Sequence, residues 1–95
     1  MKPLRFTVHA FERFFERGLS PKECEMAFLC SKVIESYPED KPFQSELRLG
    51  YAGPKPIHVV VAETSDAIHV ITAYVPDPTL WSPDFTVRRK KGGSQ

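Results

Sequence analysis

The sequence predicts an α+β domain, built from one strand, two helices and then a four-stranded antiparallel sheet. Two segments near the N-terminus carry apolar residues at helical spacing. Four later segments either alternate in polarity or are apolar throughout, which is typical of strands. Residues that favour turns separate these segments. Helices grouped ahead of a run of strands indicate the α+β class.

The length and composition indicate a single globular domain. The chain has 95 residues, a hydrophobic share of 41% and a charged share of 26%, which are ordinary values for globular proteins. It has neither the roughly 20 consecutive apolar residues of a membrane span nor the apolar segment of a secretory signal. We therefore expect one cytoplasmic domain over residues 1–88, no membrane contact, and a flexible basic tail over residues 89–95.

The charge is distributed unevenly along the chain. Thirteen Lys and Arg against twelve Asp and Glu give a net charge of +1, but four of the basic residues are consecutive at positions 88–91. Residues 1–87 therefore carry nine basic and twelve acidic side chains, a net charge of −3. Strong nucleic-acid-binding proteins usually have a basic surface, so contact with RNA would depend here on a local cluster and on the basic run. A solubilising terminus is the alternative interpretation of that run.

The two predicted helices have clear boundary signals. A strand over residues 5–8 leads into the first helix, residues 8–17, with Thr7 as its N-cap and Gly18 just beyond its end. The second helix starts at the capping box of Ser20-Pro21-Lys22-Glu23 and is predicted to reach residue 32. Its two cysteines are six residues apart, a rise of about 9 Å that is too long for a disulfide. We expect both thiols to be reduced.

Four strands are predicted after the helices, over residues 33–37, 43–51, 57–63 and 67–74. Prolines and charged residues form the turns at 38–42 and 52–56, and Thr64-Ser65-Asp66 links the last two strands as a hairpin. The last two strands are apolar on both faces, as central strands are. Three prolines break the final segment, in which Trp81 and Phe85 are predicted to pack over the sheet.

One polar row on the first helix is a candidate site. His9, Arg13 and Arg17 lie four residues apart, so their side chains line up along the helix. Guanidinium groups bind phosphate in a bidentate manner, and a neighbouring histidine can act as acid or base near neutral pH. The alternative is a solvated surface on which His9 and Arg13 pair with neighbouring glutamates.

His58 begins an otherwise apolar strand, and the register of the last hairpin decides which side chains share its face. An even number of loop residues puts His58 on one face with His69 and Ile71. An odd number puts it with Thr72 and Tyr74, which combines an imidazole, a hydroxyl and a phenol. A buried histidine that bonds to the backbone is the alternative to a functional role.

The sequence contains none of the familiar metal, nucleotide or hydrolase motifs. The three histidines have no metal-ligand spacing, and no P-loop, G-x-G-x-x-G or G-x-S-x-G is present. We therefore expect no metal and no cofactor.

Motifs spread over residues 4–88 carry a resemblance to a known family. They are Thr7-Val8-His9-Ala10, Arg13, Arg17-Gly18, Val33-Ile34-Glu35, Tyr37-Pro38-Glu39-Asp40, Leu49-Gly50, Ile57-His58-Val59-Val60, Ile71-Thr72-Ala73-Tyr74 and Trp81. Together they make the chain resemble a prokaryotic family described as a domain of unknown function. The resemblance implies a small α+β domain whose order of elements is similar to that of RelE-like and BrnT-like toxins. Those toxins cut RNA with basic, histidine and tyrosine side chains and are held by an antitoxin.

Two hypotheses from different classes follow. In the first, the protein is a RelE-like, metal-independent RNA-cleaving or RNA-binding protein. Its predicted catalytic residues are His9, His58 and Tyr74, and its predicted phosphate-binding residues are Arg13, Arg17 and Arg88. In the second, it is a non-catalytic protein-interaction module or a relic of the toxin fold. The expected partners are RNA and an antitoxin-like protein. A third hypothesis is that Arg13 and Arg17 form an anion-binding site for a small metabolite.

Overall fold

The structure, a computed structural model, describes residues 2–89. Its elements are β1 (Leu4–Phe6), α1 (Val8–Glu16), α2 (Pro21–Leu29), β2 (Lys32–Tyr37), β3 (Ser45–Ala52), β4 (Lys55–Glu63) and β5 (Ile68–Tyr74). The five strands form one sheet in the order β1-β5-β4-β3-β2. Both helices pack on the same face of this sheet, α1 over β5 and α2 over β3 and β4. The predicted α+β class is therefore confirmed.

The sheet is mixed and five-stranded, which corrects the predicted four-stranded antiparallel sheet. Strands β2 to β5 pair with one another in antiparallel fashion, as expected. In addition, β1 pairs in parallel with β5, where Leu4 lies opposite Ile68 and Phe6 opposite Val70. This pairing satisfies the backbone groups of β1 and half-buries Leu4 and Phe6 against the core. A three-residue strand carries too little pattern to indicate its partner, so the sequence did not reveal the pairing.

Both helices begin at the predicted caps. Thr7 Oγ1 accepts a hydrogen bond of 2.9 Å from the backbone N–H of Ala10. Ser20 Oγ accepts from the N–H of Glu23 at 3.1 Å, and the Glu23 carboxylate accepts from the N–H of Ser20 at 3.0 Å. Gly18 follows α1 with a φ of 70°, a left-handed conformation that glycine adopts without strain.

The second helix and the third strand are shorter than predicted. α2 ends at Leu29 because the chain from Lys32 onward pairs with β3, beginning with Lys32 opposite Leu49. β3 begins at Ser45 instead of residue 43, so that Phe43 lies outside the sheet with half of its surface exposed.

The hydrophobic core lies between the helices and one face of the sheet. Its buried residues are Ala10, Phe14, Leu19, Cys24, Ala27, Phe28, Ile57, Val59, Val61, Val70 and Ala73. α2 approaches β3 closely at Gly50, where an added Cβ would lie 1.8 Å from the carbonyl oxygen of Ala27. Cys24 is buried in this core and Cys30 is exposed, and both are free thiols.

Residues 75–89, which we name the C-terminal segment, cover part of the other face of the sheet. Trp81 is buried there, with its ring packed edge-on against His58 at 4.4 Å between ring centres. Asp84 shapes this segment, because its carboxylate accepts hydrogen bonds from Ser82 and Thr86. These bonds lower the pKa of Asp84 to about 2.

The described part of the chain ends at Arg89, which is hydrogen-bonded to earlier residues of the C-terminal segment. Its backbone N–H donates to the carbonyl oxygen of Leu80, and its Nε donates to that of Trp81 at 2.7 Å. The rest of the predicted basic tail, residues 90–95, lies outside the described residues. Within residues 2–89, neither helix is long or apolar enough to cross a membrane.

Candidate functional site

A β-bulge at Ile71 decides which side chains share the face of His58. The pairing of β4 with β5 puts His58 opposite Tyr74, with Thr72 on the same face, and then skips Ile71. Beyond the bulge, His69 returns to this face. The bulge therefore combines the two registers that the sequence left open: the imidazole, the phenol and the hydroxyl lie together, with His69 further along the same face.

His58 is fully buried, and both of its ring nitrogens have partners. Nε2 lies 2.8 Å from the carbonyl oxygen of Phe85, and Nδ1 lies 3.3 Å from the hydroxyl of Tyr74. Burial lowers the pKa of His58 below its usual 6.5, although the bond to Phe85 opposes this shift, and the ring is therefore neutral at pH 7. Because a carbonyl oxygen can only accept, Nε2 carries the proton. Nδ1 then accepts the hydrogen of the Tyr74 hydroxyl.

Phe85 supplies its carbonyl oxygen from a strained backbone conformation. Its φ of 63° lies in the left-handed region, which a bulky residue rarely adopts. Conformations of this kind persist where the surrounding structure holds them in place. Here the bond to His58 Nε2 and the turn formed by Asp84 hold the C-terminal segment against the sheet.

A cavity of about 430 Å³ opens beside Tyr74 on this face of the sheet. We name it the Tyr74 cavity. It is lined by Ile34, Glu35, Tyr37, Leu47, Tyr74, Trp81, Thr86, Val87 and Arg88. Strands β2, β3 and β5 and the C-terminal segment all contribute to it. A carboxylate, a guanidinium and three aromatic rings therefore surround one hollow.

Arg17 approaches Tyr74 from the open edge of β5. This edge is free because the pairing with β1 ends at Val70. Arg17 Nη1 donates to Thr72 Oγ1 at 3.0 Å and to the carbonyl oxygen of Ala73 at 2.9 Å. Its guanidinium carbon lies 5.9 Å from the centre of the Tyr74 ring, within the range of a cation–π contact.

Arg88 lies in the wall of the Tyr74 cavity. Its guanidinium carbon is 5.9 Å from the centre of the Trp81 ring. Burial raises the pKa of Tyr74 above its usual 10, as does the nearby Tyr37, while Arg88 and Arg17 act in the opposite direction. The hydroxyl of Tyr74 is therefore protonated at pH 7, and two cations are near enough to act on its pKa.

The structure does not bring His9 and Arg13 to the Tyr74 cavity. α1 packs on the other face of the sheet, and Arg13 Nε donates to His9 Nε2 at 3.2 Å on the polar side of this helix. His9 is well exposed, and its Nδ1 lies 3.8 Å from the carboxylate of Glu12. Of the predicted row, Arg17 alone contacts Tyr74. It lies eight residues beyond His9, which is about 12 Å further along the axis of α1.

Sequence reasoning singled out neither Glu35 nor Tyr37 as a site residue. Both line the Tyr74 cavity from β2, two residues apart and therefore on one face of that strand. The sequence shows that Glu35 and Tyr37 occupy alternate positions of a strand. It does not show that this strand lies at the edge of the sheet, beside the cavity. The role of the Phe85 carbonyl oxygen also has no sequence signal, because every residue carries such a group.

The arrangement allows proton transfer in a positively charged environment. The Tyr74 oxygen can accept a proton from a group in the cavity while its own proton passes to His58 Nδ1. The guanidinium groups of Arg17 and Arg88, whose charges act on Tyr74, can stabilise negative charge that develops there. Between residues 2 and 89, no three His, Cys, Asp or Glu side chains are grouped as metal ligands.

The neutral state of His58 predicts a pH dependence of stability. Since its folded pKa is lowered, the unfolded chain binds the proton first as the pH falls below about 6.5. We expect the free energy of unfolding to decrease from there, by at most about 1.4 kcal/mol per pH unit, until the folded protein also takes up the proton. Urea unfolding between pH 5 and pH 8 measures this slope.

The control for this prediction is the same substitution at two histidines. H58Q should remove the decrease below pH 6.5, at a lower overall stability, because a buried ring is lost. H9Q should keep the decrease, since His9 is exposed and bonds only within its own helix. An unchanged slope in H58Q would show that another group causes the pH dependence.

Comparison with known proteins identifies one family. The model of a domain of unknown function (DUF4258) matches residues 6–75, which is 70 of the 95 residues. The match includes Arg17, His58 and Tyr74, and it stops before Trp81 and Arg88. Neither the comparison with curated proteins nor the comparison with solved structures found a match. Because the match covers most of the chain, from β1 through β5, the chain belongs to the DUF4258 family.

Proposed function

We propose that the protein binds single-stranded RNA at the Tyr74 cavity and cleaves it without a metal ion. One observation carries the proposal: the hydroxyl of Tyr74 is hydrogen-bonded to a buried, neutral imidazole, and the positive charges of Arg17 and Arg88 act on the same side chain. RNA brings its own nucleophile, the 2′-hydroxyl, so the protein must supply a proton acceptor and positive charge. Tyr74 and the two arginines are groups of that kind.

The proposed reaction begins with removal of a proton from the 2′-hydroxyl. This proton goes to the oxygen of Tyr74, while the hydrogen of Tyr74 moves to His58 Nδ1. The 2′-oxygen forms a bond to the adjacent phosphorus, and the bond from phosphorus to the 5′-oxygen breaks. The leaving oxygen takes a proton from water, and the hydroxide that remains recovers the proton from His58 through Tyr74, which restores the neutral imidazole. The products are a 2′,3′-cyclic phosphate and a 5′-hydroxyl.

Each residue has a separate role in this reaction. Tyr74 is the catalytic residue, because it lines the cavity and its hydroxyl is hydrogen-bonded to His58. His58 is a positioning residue, since it is fully buried and meets the substrate only through Tyr74. Arg17 and Arg88 bind the phosphate. The proposal gives no role to His9 or Arg13.

The proposal is tested with a labelled single-stranded RNA of mixed sequence and a metal chelator. The wild-type chain is expected to produce fragments that end in a 2′,3′-cyclic phosphate, and the same fragments should appear with and without the chelator. Absence of cleavage, with free RNA and in the presence of ribosomes, would refute the enzymatic proposal. Cleavage that stops when the chelator is added would refute metal independence.

Arg88→Gln is predicted to weaken binding of RNA and to reduce its dependence on salt. Arg88 is exposed at the wall of the cavity, so its loss removes one cation that contacts phosphate. Each such contact on a single strand contributes about 0.7 to the slope of log K against log salt. We expect the slope to decrease by about this amount. Fluorescence anisotropy between about 50 and 200 mM salt, a range over which phosphate-binding proteins lose much of their affinity, measures the slope.

Arg13→Gln is the matched control for this measurement. It removes the same charge from the polar side of α1, on the other face of the sheet. The total charge of the two variants is equal, so a general charge effect would alter both slopes alike. Equal slopes in the two variants would contradict the role of Arg88.

A non-catalytic interaction module is the second candidate, and the surface of α1 favours it. Val8 and Phe15 are 76% and 88% exposed, although both are apolar and lie two turns apart on one side of the helix. Phe11 lies between them and is also partly exposed. Exposed apolar residues in a continuous stripe are typical of a surface that binds protein.

The F15S variant separates this candidate from the enzyme. If the stripe binds a partner protein, that partner co-purifies with the wild-type chain and is lost with F15S. The same partner should remain bound to Tyr74→Phe, which leaves the stripe unchanged. A chain that purifies alone, or a partner that F15S retains, would contradict a binding role for this surface.

A further inference from the structure

A second cavity lies on the same face of the sheet as the Tyr74 cavity. Its volume is about 270 Å³, and we name it the Phe43 cavity. Its lining includes apolar residues and a polar rim, with Phe43, Ile71 and Ala62 beside Asp40, Lys41 and His69. Phe43 is 50% exposed and Ile71 is 39% exposed, so two large apolar side chains remain accessible to a ligand.

The two cavities are neighbours because the same strands line both. On β3, Leu47 lines the Tyr74 cavity and Ser45 lines the Phe43 cavity, two residues apart on one face. On β5, Tyr74 and Ile71 are three residues apart, a distance of about 10 Å along a strand. Neighbouring nucleotides of one extended strand can span such a distance.

The polar rim of the Phe43 cavity offers a fixed hydrogen-bond acceptor. The hydroxyl of Ser45 donates to one oxygen of the Asp40 carboxylate, and the backbone N–H of Asp40 donates to the carbonyl oxygen of Tyr37 at 3.2 Å. These bonds orient the carboxylate and the backbone of Asp40, and neither of them uses the second carboxylate oxygen. A carboxylate in such a position accepts hydrogen bonds from the amino group of a base such as cytosine.

We propose that the Phe43 cavity binds a nucleobase of the RNA strand whose phosphate lies at the Tyr74 cavity. This inference rests on the proposed function. Aromatic side chains stack on unpaired bases, and the exposed ring of Phe43 supplies such a surface. The carboxylate of Asp40 selects bases that carry an exocyclic amino group, and Lys41 contacts the adjoining phosphate. Uracil, which lacks that group, is the base that the cavity disfavours.

The test uses short RNA strands whose 2′-hydroxyls are all methylated, so that they bind but cannot be cleaved by the proposed reaction. Fluorescence anisotropy compares oligocytidine with oligouridine. We expect the wild-type chain to bind oligocytidine more tightly, and F43A to lose about tenfold or more in affinity, as removal of a base-stacking ring does. F15A, which removes an exposed phenylalanine from α1, is the matched control and should bind like wild type.

Base selection is tested with Asp40→Asn. This variant replaces the acceptor oxygen with an amide that can also donate, so the preference for oligocytidine over oligouridine should become smaller. Equal affinities of F43A and F15A would overturn the inference, as would a wild-type chain that binds both oligomers equally. Binding that depends on Phe43, in a protein that cleaves no RNA, would support the inference while refuting the proposed cleavage.

Discussion

Replacing Tyr74 with phenylalanine should lower the rate of RNA cleavage by about 10²- to 10⁴-fold, the range in which a general base contributes. The ring remains, and so do its packing against His58 and its contact with Arg17. What the substitution removes is the oxygen that accepts the proton of the 2′-hydroxyl. The rate is measured under single-turnover conditions with a labelled RNA, and binding is measured separately by anisotropy.

Tyr37→Phe is the matched control, because Tyr37 is the other tyrosine of the same cavity. Its hydroxyl does not contact His58, so we expect cleavage within a fewfold of wild type. Similar rates for Tyr74→Phe and wild type would refute the catalytic role of Tyr74. A Tyr74→Phe chain that binds RNA normally but cleaves it slowly would separate chemistry from binding.

Gly50→Ala should produce a much larger loss of stability than the same substitution at Gly18 or Gly53. The new Cβ would lie 1.8 Å from the carbonyl oxygen of Ala27 and 2.5 Å from its carbonyl carbon. These are backbone atoms of α2, so relief requires the whole helix to move away from β3. We expect the free energy of unfolding to decrease by at least about 3 kcal/mol, as measured by urea unfolding.

Gly53→Ala is the control for this effect. Gly53 has a φ of 62° in the turn between β3 and β4, and an added Cβ would meet nothing within 4 Å. Its replacement should lower the free energy of unfolding by about 1 kcal/mol, because alanine is strained in a left-handed backbone conformation. If both alanine variants lose the same amount, the close approach of α2 to Gly50 is not a determinant of stability.

The helices were the best-predicted part of the fold, because their signals are local. The caps at Thr7 and Ser20 and the glycine at position 18 depend on residues within one helical turn. The errors concern pairing over long distances. The end of α2 was set by the pairing of β2 with β3, and β1 joined the sheet beside a strand more than 60 residues later.

The candidate site was predicted in composition but not in arrangement. His58, Tyr74 and Arg17 come together, and each stood out in the sequence because of its residue type and spacing. His9 and Arg13 share the spacing of Arg17, but they point away from the site, because the edge of β5 is open only near the end of α1. Periodicity places residues on one side of a helix, but it does not say which neighbour that side meets.

By itself, the sequence determined that two short helices precede an antiparallel run of strands, and it restricted the partners of His58 to two alternatives. Only the tertiary structure showed that both are present on one face, because of a bulge at Ile71 that has no signal in an apolar strand. It also decided that the carbonyl oxygen of Phe85 fixes the tautomer of His58, from 27 residues away. Local patterns reflect interactions within a turn or along one strand, whereas the hydrogen bonds of this site join segments that meet only after the sheet has formed.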